Sequence, residues 1–289
     1  MKDKSSISPK TQFCALIGNP VGHSMSPAIH NAAFAATGQD FVYVACQVED
    51  VAGALTGMRA LGNFRGMSVT IPHKIEVMQH VDEISETDRA IGSINTVICD
   101  NGKLRGLGTD GPGALKALTD AGVDLTDKTV LMLGCGGASR AIAFTLANRS
   151  ELAELVMLDI DKEFLQGLTS DLQQKTDKQI SSAVMTESSI GAAMAKSDII
   201  IQCTPVGMHP KENGTLVPAE LFRAGQVVFD VVYNPLETRL LQEAKAAGCI
   251  TISGVEMFIN QAILQFEQFT GIDAPTEVMR NVVLKELGV

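Results

Sequence analysis

The chain has no C-x-x-C pair, no H-E-x-x-H run and no apolar stretch approaching the roughly 18 uncharged residues of a membrane span. Its cysteines, Cys14, Cys46, Cys99, Cys135, Cys203 and Cys249, are scattered along the sequence. Disulfide frameworks and zinc sites usually cluster their ligands, so these residues read as reduced, mostly buried side chains of a cytoplasmic protein without a metal. Basic residues are in deficit, 23 against 33 acidic, for a formal charge of −10. That sign repels a phosphate backbone, and no local basic patch offsets it, which excludes nucleic acid as a partner. The opening MKDKSSISPKTQ lacks the apolar core of a secretory signal and reads as a short mobile tail. Internal repeats, low-complexity blocks and long linkers are also missing.

What is present fits a globular α/β protein. At 289 residues and 45% hydrophobic content, the chain exceeds the needs of one ordinary core and suggests two domains. Short β-rich runs alternate with helical stretches. Strands are expected at Phe13–Gly18, Phe41–Gln47, Met67–Ile71 and Ile94–Cys99, then at Thr129–Gly134, Leu155–Ile160, Asp198–Gln202, Val227–Val232 and Cys249–Ile252. Most are near-continuous apolar runs, which suits parallel strands covered on both faces. One helix is expected at Pro27–Thr37 with Ser26 as its N-cap, and another at Ala114–Ala121 after the Gly111-Pro112-Gly113 interruption. The domain boundary therefore falls near Asp110: residues 1–110, then 111–253, then a helical segment 254–289 that either domain can accommodate on this evidence.

The strongest local signal is TVLMLGCGGASR, where a buried strand runs into Gly134-Cys135-Gly136-Gly137-Ala138-Ser139 and a helix follows. This is the order of a dinucleotide fingerprint: glycines shape the turn, and backbone N–H groups at a helix start face a pyrophosphate. Ser139 stands at the third glycine position. The next strand ends at Asp159, 20 residues beyond Ser139. A carboxylate there can accept from ribose hydroxyls and repels a 2′-phosphate, so NAD is expected in preference to NADP. The plainer role of Asp159 is to cap a strand-to-helix turn.

Eight phrases occur in order: GNPVGHSMSP (Gly18–Pro27), SVTIPHK (Ser68–Lys74), AIGSINT (Ala90–Thr96), TDG (Thr109–Gly111), GCGGASR (Gly134–Arg140), CTPVGM (Cys203–Met208), DVVYNP (Asp230–Pro235) and GVEMFINQA (Gly254–Ala262). Together they resemble the shikimate/quinate dehydrogenase family over most of the chain. The resemblance implies an N-terminal α/β substrate domain and a Rossmann-type, doubly wound nucleotide domain with the active site in the cleft between them. It also implies that the C-terminal helices return to the first domain. Lys74 and Asp110 match the family's acid–base pair, which chemistry requires because alcohol oxidation must remove a hydroxyl proton. Ser24 and Ser26 match carboxylate-binding serines near a helix start, and Ser68, Thr70, Asn95, Tyr233 and Gln261 match positions around the substrate ring. Beyond the glycine turn, the resemblance assigns Cys203, Thr204, Val206, Met208, Val232, Gly254 and Met257 to the cofactor, with Met208 and Met257 lining the nicotinamide pocket.

Two departures bear on substrate. The family usually carries Asn-Val-Thr where Ser68-Val69-Thr70 stands, and Asn-Thr-Asp where Gly108-Thr109-Asp110 stands. Losing a side chain that hydrogen-bonds a substrate hydroxyl changes discrimination strongly. With Asp159-Ile160-Asp161 in place of the usual Asn-Arg-Thr phosphate clamp, these changes favour an NAD-linked paralogue acting on shikimate, quinate or a related hydroxylated cyclic carboxylate. The alternatives are a dehydrogenase for another polar carboxylate and a catalytically silent NAD-binding sensor. The expected partner is a small carboxylate, with neither nucleic acid nor membrane, and a homodimer is allowed.

Overall fold

A computed structural model describes residues 7–289. The reading of the opening residues as a tail falls largely on 1–6, outside the described residues. The chain forms two compact units, one running to Thr109 and resumed by Gln261–Val289, the other comprising Asp110–Asn260.

The first unit contains β1 (Gln12–Gly18), α1 (Ser26–Thr37), β2 (Phe41–Gln47), α2 (Val51–Arg59), β3 (Phe64–Val69), β4 (Glu83–Ile84), α3 (Glu86–Ile91), β5 (Thr96–Asp100) and β6 (Lys103–Leu107). Its sheet has the order β2-β1-β3-β5-β6-β4. β1 runs parallel to β2 and β3, but β5 is antiparallel to both β3 and β6. The expectation that most strands are parallel therefore does not extend to β5 and its two neighbours. The cause is local: Asn101 and Gly102 both take positive φ, 51° and 79°, making the tight hairpin that an Asn-Gly pair favours. β6 then alternates exposed and buried residues along Lys103-Leu104-Arg105-Gly106, as a half-solvated strand should. Ala15, Ile17, Met67, Val69, Val97 and Leu104 pack into the core below it.

The second unit contains α4 (Asp110–Asp120), β7 (Thr129–Leu133), α5 (Gly137–Arg149), β8 (Glu154–Asp159), α6 (Lys162–Lys175), β9 (Gln179–Val184), α7 (Glu187–Lys196), β10 (Ile199–Gln202), β11 (Val227–Asp230), α8 (Arg239–Ala246) and β12 (Ile250–Ser253). All its strands are parallel, in the order β12-β11-β10-β7-β8-β9. That is the doubly wound arrangement, and its strand order reverses between β7 and β10, where such sheets bind ligands at their carboxyl ends. The four residues Val130–Leu133 are wholly buried, each large side chain contributing about 1.5–3 kcal/mol. α4 begins four residues earlier than expected, at Asp110. Gly111 permits its close approach to α5, since a Cβ there would lie 2.5 Å from the Ala141 carbonyl.

The chain ends in α9 (Gly254–Thr270) and α10 (Thr276–Glu286). The change of unit falls inside α9, between Asn260 and Gln261, while the expected boundary at Gly254 is the start of the helix. α10 packs on α1 in the first unit. Among the described residues, no helix is long and apolar enough to cross a membrane.

Candidate active site

In the first unit the expected residues gather at one end of the sheet because β5 runs opposite to β3. The carboxyl end of β3 is thereby set beside the start of β5, and Val69 N–H donates to the Asn95 carbonyl at 2.7 Å. Thr70 N–H donates to Ile17 and Asn19 N–H to Ile71, tying the loop after β1 to the loop after β3. The latter carries Lys74, which is half-buried. Its carbonyl accepts from Ile94 N–H at 2.9 Å, placing its backbone next to Asn95. Sequence reasoning passed over the neighbouring His73, which is buried and whose Nε2 lies 2.8 Å from the Val48 carbonyl. This contact pins the Lys74 turn to the loop after β2.

Asn95 is the hub of the group. Its Oδ1 accepts from Thr109 N–H at 2.8 Å, while its Nδ2 donates to Thr109 Oγ1 at 2.9 Å and to Gln261 Oε1 at 3.5 Å. Thus α9 brings Gln261 to the same end of the sheet. Ser68 is buried, accepting from the Tyr43 hydroxyl at 2.7 Å. Ser24 and Ser26 flank the start of α1. The expected capping role of Ser26 is corrected: the N-cap is Met25, Ser26 is the first helical residue, and Ser24 Oγ accepts from Ser26 N–H at 3.2 Å. A serine two residues earlier reaches the free amide more easily than a residue already in the helix.

In the second unit, Asp110 opens α4. Gly134 takes a positive φ of 97°, and a Cβ there would meet the Thr204 side chain at 2.7 Å, so only glycine fits between the ends of β7 and β10. Gly136 and Gly137 have open space where side chains would project. Gly136 caps α5 without a side-chain hydrogen bond, and the first turn holds no acidic residue. Unobstructed N–H groups at a helix start make an anion cradle of the kind a dinucleotide pyrophosphate occupies. Ser139 is buried in the same turn, and Ala138 lies between it and Gly137. Cys203 follows β10, and burial pushes its thiol up; the Cys135 thiol is pushed up to about 12 for the same reason. Neither is poised as a nucleophile.

Beyond β10, Val206 N–H donates to Thr204 Oγ1 at 3.2 Å, and Met208 is exposed. Val232 is buried, its N–H donating to Asp230 Oδ1 at 3.0 Å. Tyr233 stacks on Phe258 with ring centroids 4.9 Å apart. Met257 is buried near the start of α9, and Gly254 lets that start approach Val231, whose backbone a Cβ would strike. Asp230, which opens the DVVYNP phrase without a role assigned from sequence, is buried, and its carboxyl is raised to about 6 by loss of solvent, against the opposing pull of hydrogen bonds from Thr238 and Val232 N–H.

Asp159 has the plainer of its two expected roles. Its carboxylate accepts from Cys135 N–H at 2.5 Å and from Asp161 N–H at 2.7 Å, bracing the glycine turn against the start of α6. Asp161 in turn accepts from Glu163 and Phe164 N–H groups as the cap of α6. Both carboxylates thus accept from backbone donors of the turn.

These features define a two-unit α/β protein with an unobstructed glycine cradle in one unit and a polar site carrying a lysine in the other. The chain belongs to the shikimate dehydrogenase family of oxidoreductases. Residues 16–97 match the family model described as the shikimate dehydrogenase substrate binding domain, and residues 254–284 match the shikimate 5′-dehydrogenase C-terminal domain. A protein of Moorella thermoacetica named shikimate dehydrogenase (NADP(+)) is 39% identical over 98% of this chain and 96% of its own. One of the same name from Methanocaldococcus jannaschii is 40% identical over 97% and 99%. A shikimate dehydrogenase crystal structure in complex with NADP+ superposes with a TM-score of 0.90 at 38% identity, covering 98% of both chains.

These names overturn the expectation of NAD: relatives 39–40% identical over nearly the whole chain are named for NADP(+). Asp159 accepts backbone N–H bonds in the turn, so a carboxylate at this strand end has a local use whatever the cofactor.

Proposed function

We propose that the protein is an NADP-dependent shikimate dehydrogenase that reversibly interconverts a ring hydroxyl of shikimate and the corresponding ketone. The naming of the relatives and the full-length similarity support this reading. The observation that carries it is the convergence of Lys74, Thr70, Asn95 and Gln261 at one sheet end, in a chain whose other unit holds an unobstructed glycine cradle.

NADP, when bound, supplies the hydride acceptor in oxidation and the donor in reduction. Gly134, Gly136 and Gly137 would hold its pyrophosphate with backbone N–H groups, with Thr204 closing the other side of the switch point. Lys74 Nζ takes the hydroxyl proton as the alcohol is oxidised and returns it in the reverse direction; Asp110 matches the second member of the family's acid–base pair. Ser24 and Ser26 hold the substrate carboxylate, while Thr70, Asn95 and Gln261 orient the ring hydroxyls.

Lys74→Ala tests the assignment. General acid–base groups contribute about 10²–10⁴-fold, so turnover of shikimate with NADP should fall by two to four orders of magnitude while NADP binding, measured by fluorescence titration, stays unchanged. Turnover within a few-fold of the native enzyme removes Lys74 from the mechanism.

A further inference from the structure

Gln265 lies outside every motif that marks the family, yet it stands at the centre of a buried hydrogen-bond chain. It is one helical turn beyond Gln261 on α9, at the spacing that sets two side chains on one face, and is 2% exposed. The Tyr43 hydroxyl donates to Ser68 Oγ at 2.7 Å, and Ser68 Oγ donates to Gln265 Oε1 at 2.8 Å. Gln265 Nε2 donates to Thr96 Oγ1 at 3.0 Å and to the Asn95 carbonyl at 3.3 Å. Thr96 Oγ1 then donates to Asn95 Oδ1 at 3.1 Å.

The chain has a forced direction. Each hydroxyl has one proton to give, and the backbone N–H of Thr109 can only donate. Asn95 must therefore turn Oδ1 toward Thr109 N–H and Thr96, which aims Nδ2 at Thr109 Oγ1 and Gln261 Oε1. A flipped Asn95 amide would set donors against donors in a dry interior, at the full cost of unsatisfied polar groups. The other end of the chain is equally fixed. His30 lies flat on the Tyr43 ring at 4.5 Å with an interplanar angle of 8°, and burial lowers its pKa to about 3, so it is neutral.

We propose that Gln265 is a positioning residue, which holds Asn95 and through it Gln261 in one amide orientation without touching the substrate. The proposal rests on the reading of Asn95 and Gln261 as substrate-binding groups. Ser68 belongs to the same device: its hydroxyl is engaged by Tyr43 and Gln265, so it supports Asn95 through the amide of Gln265. A substrate met by a single fixed amide orientation binds without the cost of ordering it, which is where the effect should be read.

Gln265→Met keeps the length of the side chain and removes its hydrogen bonds. The expected result is a rise of about ten-fold in KM for shikimate, the loss of one to two ordinary hydrogen bonds, with kcat and the KM for NADP within about two-fold of native. An unchanged shikimate KM, or equal losses in kcat and both KM values, overturns the proposal. Gln265→Glu provides a second reading should the methionine variant fold poorly. Its carboxyl can donate to Thr96 only when protonated, so its shikimate KM should approach the native value as pH falls; a pH-independent defect counts against the proposal. Asn95→Ala separates the two levels. If it leaves the shikimate KM unchanged, the underlying substrate reading fails; if it raises KM while both Gln265 variants behave as native, only the positioning role fails.

Discussion

The two units build their sites from opposite materials. The first places a chain of polar side chains at the end of a mixed sheet, from Tyr43 through Ser68, Gln265 and Thr96 to Asn95 and Thr109. The second surrounds its site with apolar parallel strands and presents backbone at Gly134, Gly136 and Gly137. The difference follows from the ligands each would hold. A ring with several hydroxyls is distinguished by donors and acceptors in a fixed order, which only oriented side chains provide. A pyrophosphate asks for N–H groups without obstruction, which any helix start offers once side chains are removed. One site is therefore vulnerable to lost hydrogen bonds, and the other to added atoms.

The largest effect expected from this contrast is at Gly134. Gly134→Ala adds a Cβ 2.7 Å from Thr204 at a φ of 97°, a strain of about 1–3 kcal/mol. NADP affinity should fall by about ten-fold or more, while the shikimate Kd of the variant, measured by calorimetry, stays near native. Equal loss of both ligands breaks the division between side-chain and backbone sites.

Acid should act on the two units with opposite sign. His30 has its pKa lowered to about 3 by burial, against about 6.5 in an unfolded chain. The unfolded form gains the proton first, so the first unit loses stability as pH falls from about 6.5 toward 3. Asp230 is raised from 3.8 to about 6. Its folded form binds the proton first, so its contribution is full below about 4 and is lost as pH rises through about 6. Hydrogen exchange resolved by segment should show protection in α1 and β2 declining in mild acid, with protection in β10 and β11 holding or rising. Asp230→Asn should flatten the second trend and leave the first.

The smallest effect lies away from both sites. Gly102→Ala burdens the β5–β6 hairpin at a φ of 79°, at a cost of about 1 kcal/mol. Thermal unfolding should shift by a few degrees and kcat/KM for shikimate should not change. A change in kcat/KM indicates that the hairpin also orders Thr109 and Asn95.

Much of this was legible in sequence. The strand–glycine–helix of the second unit declares itself because parallel strands buried on both faces leave apolar runs, and a turn that admits only glycine leaves glycine. The antiparallel β5–β6 pair was harder to see, since Lys103-Leu104-Arg105 is half-charged and short, although Asn101-Gly102 is a hairpin signal in its own right. Asp159 shows a different limit. A carboxylate at a strand end has the same letter whether or not it also accepts from Cys135 and Asp161 N–H groups, and coordinates reveal that local role. Gln265 is one of several polar letters in α9, and its partners Ser68 and Asn95 are 197 and 170 residues away. Pairings at that distance in sequence leave no local pattern.

The account turns on what the two units do together. The most direct measurement is the initial rate of nicotinamide reduction by the native protein with shikimate as the only oxidisable substrate, with NADP and NAD compared side by side. The account predicts shikimate-dependent reduction, with kcat/KM higher for NADP than for NAD. No reduction of NADP at any shikimate concentration, in a protein that still binds both ligands, would contradict it.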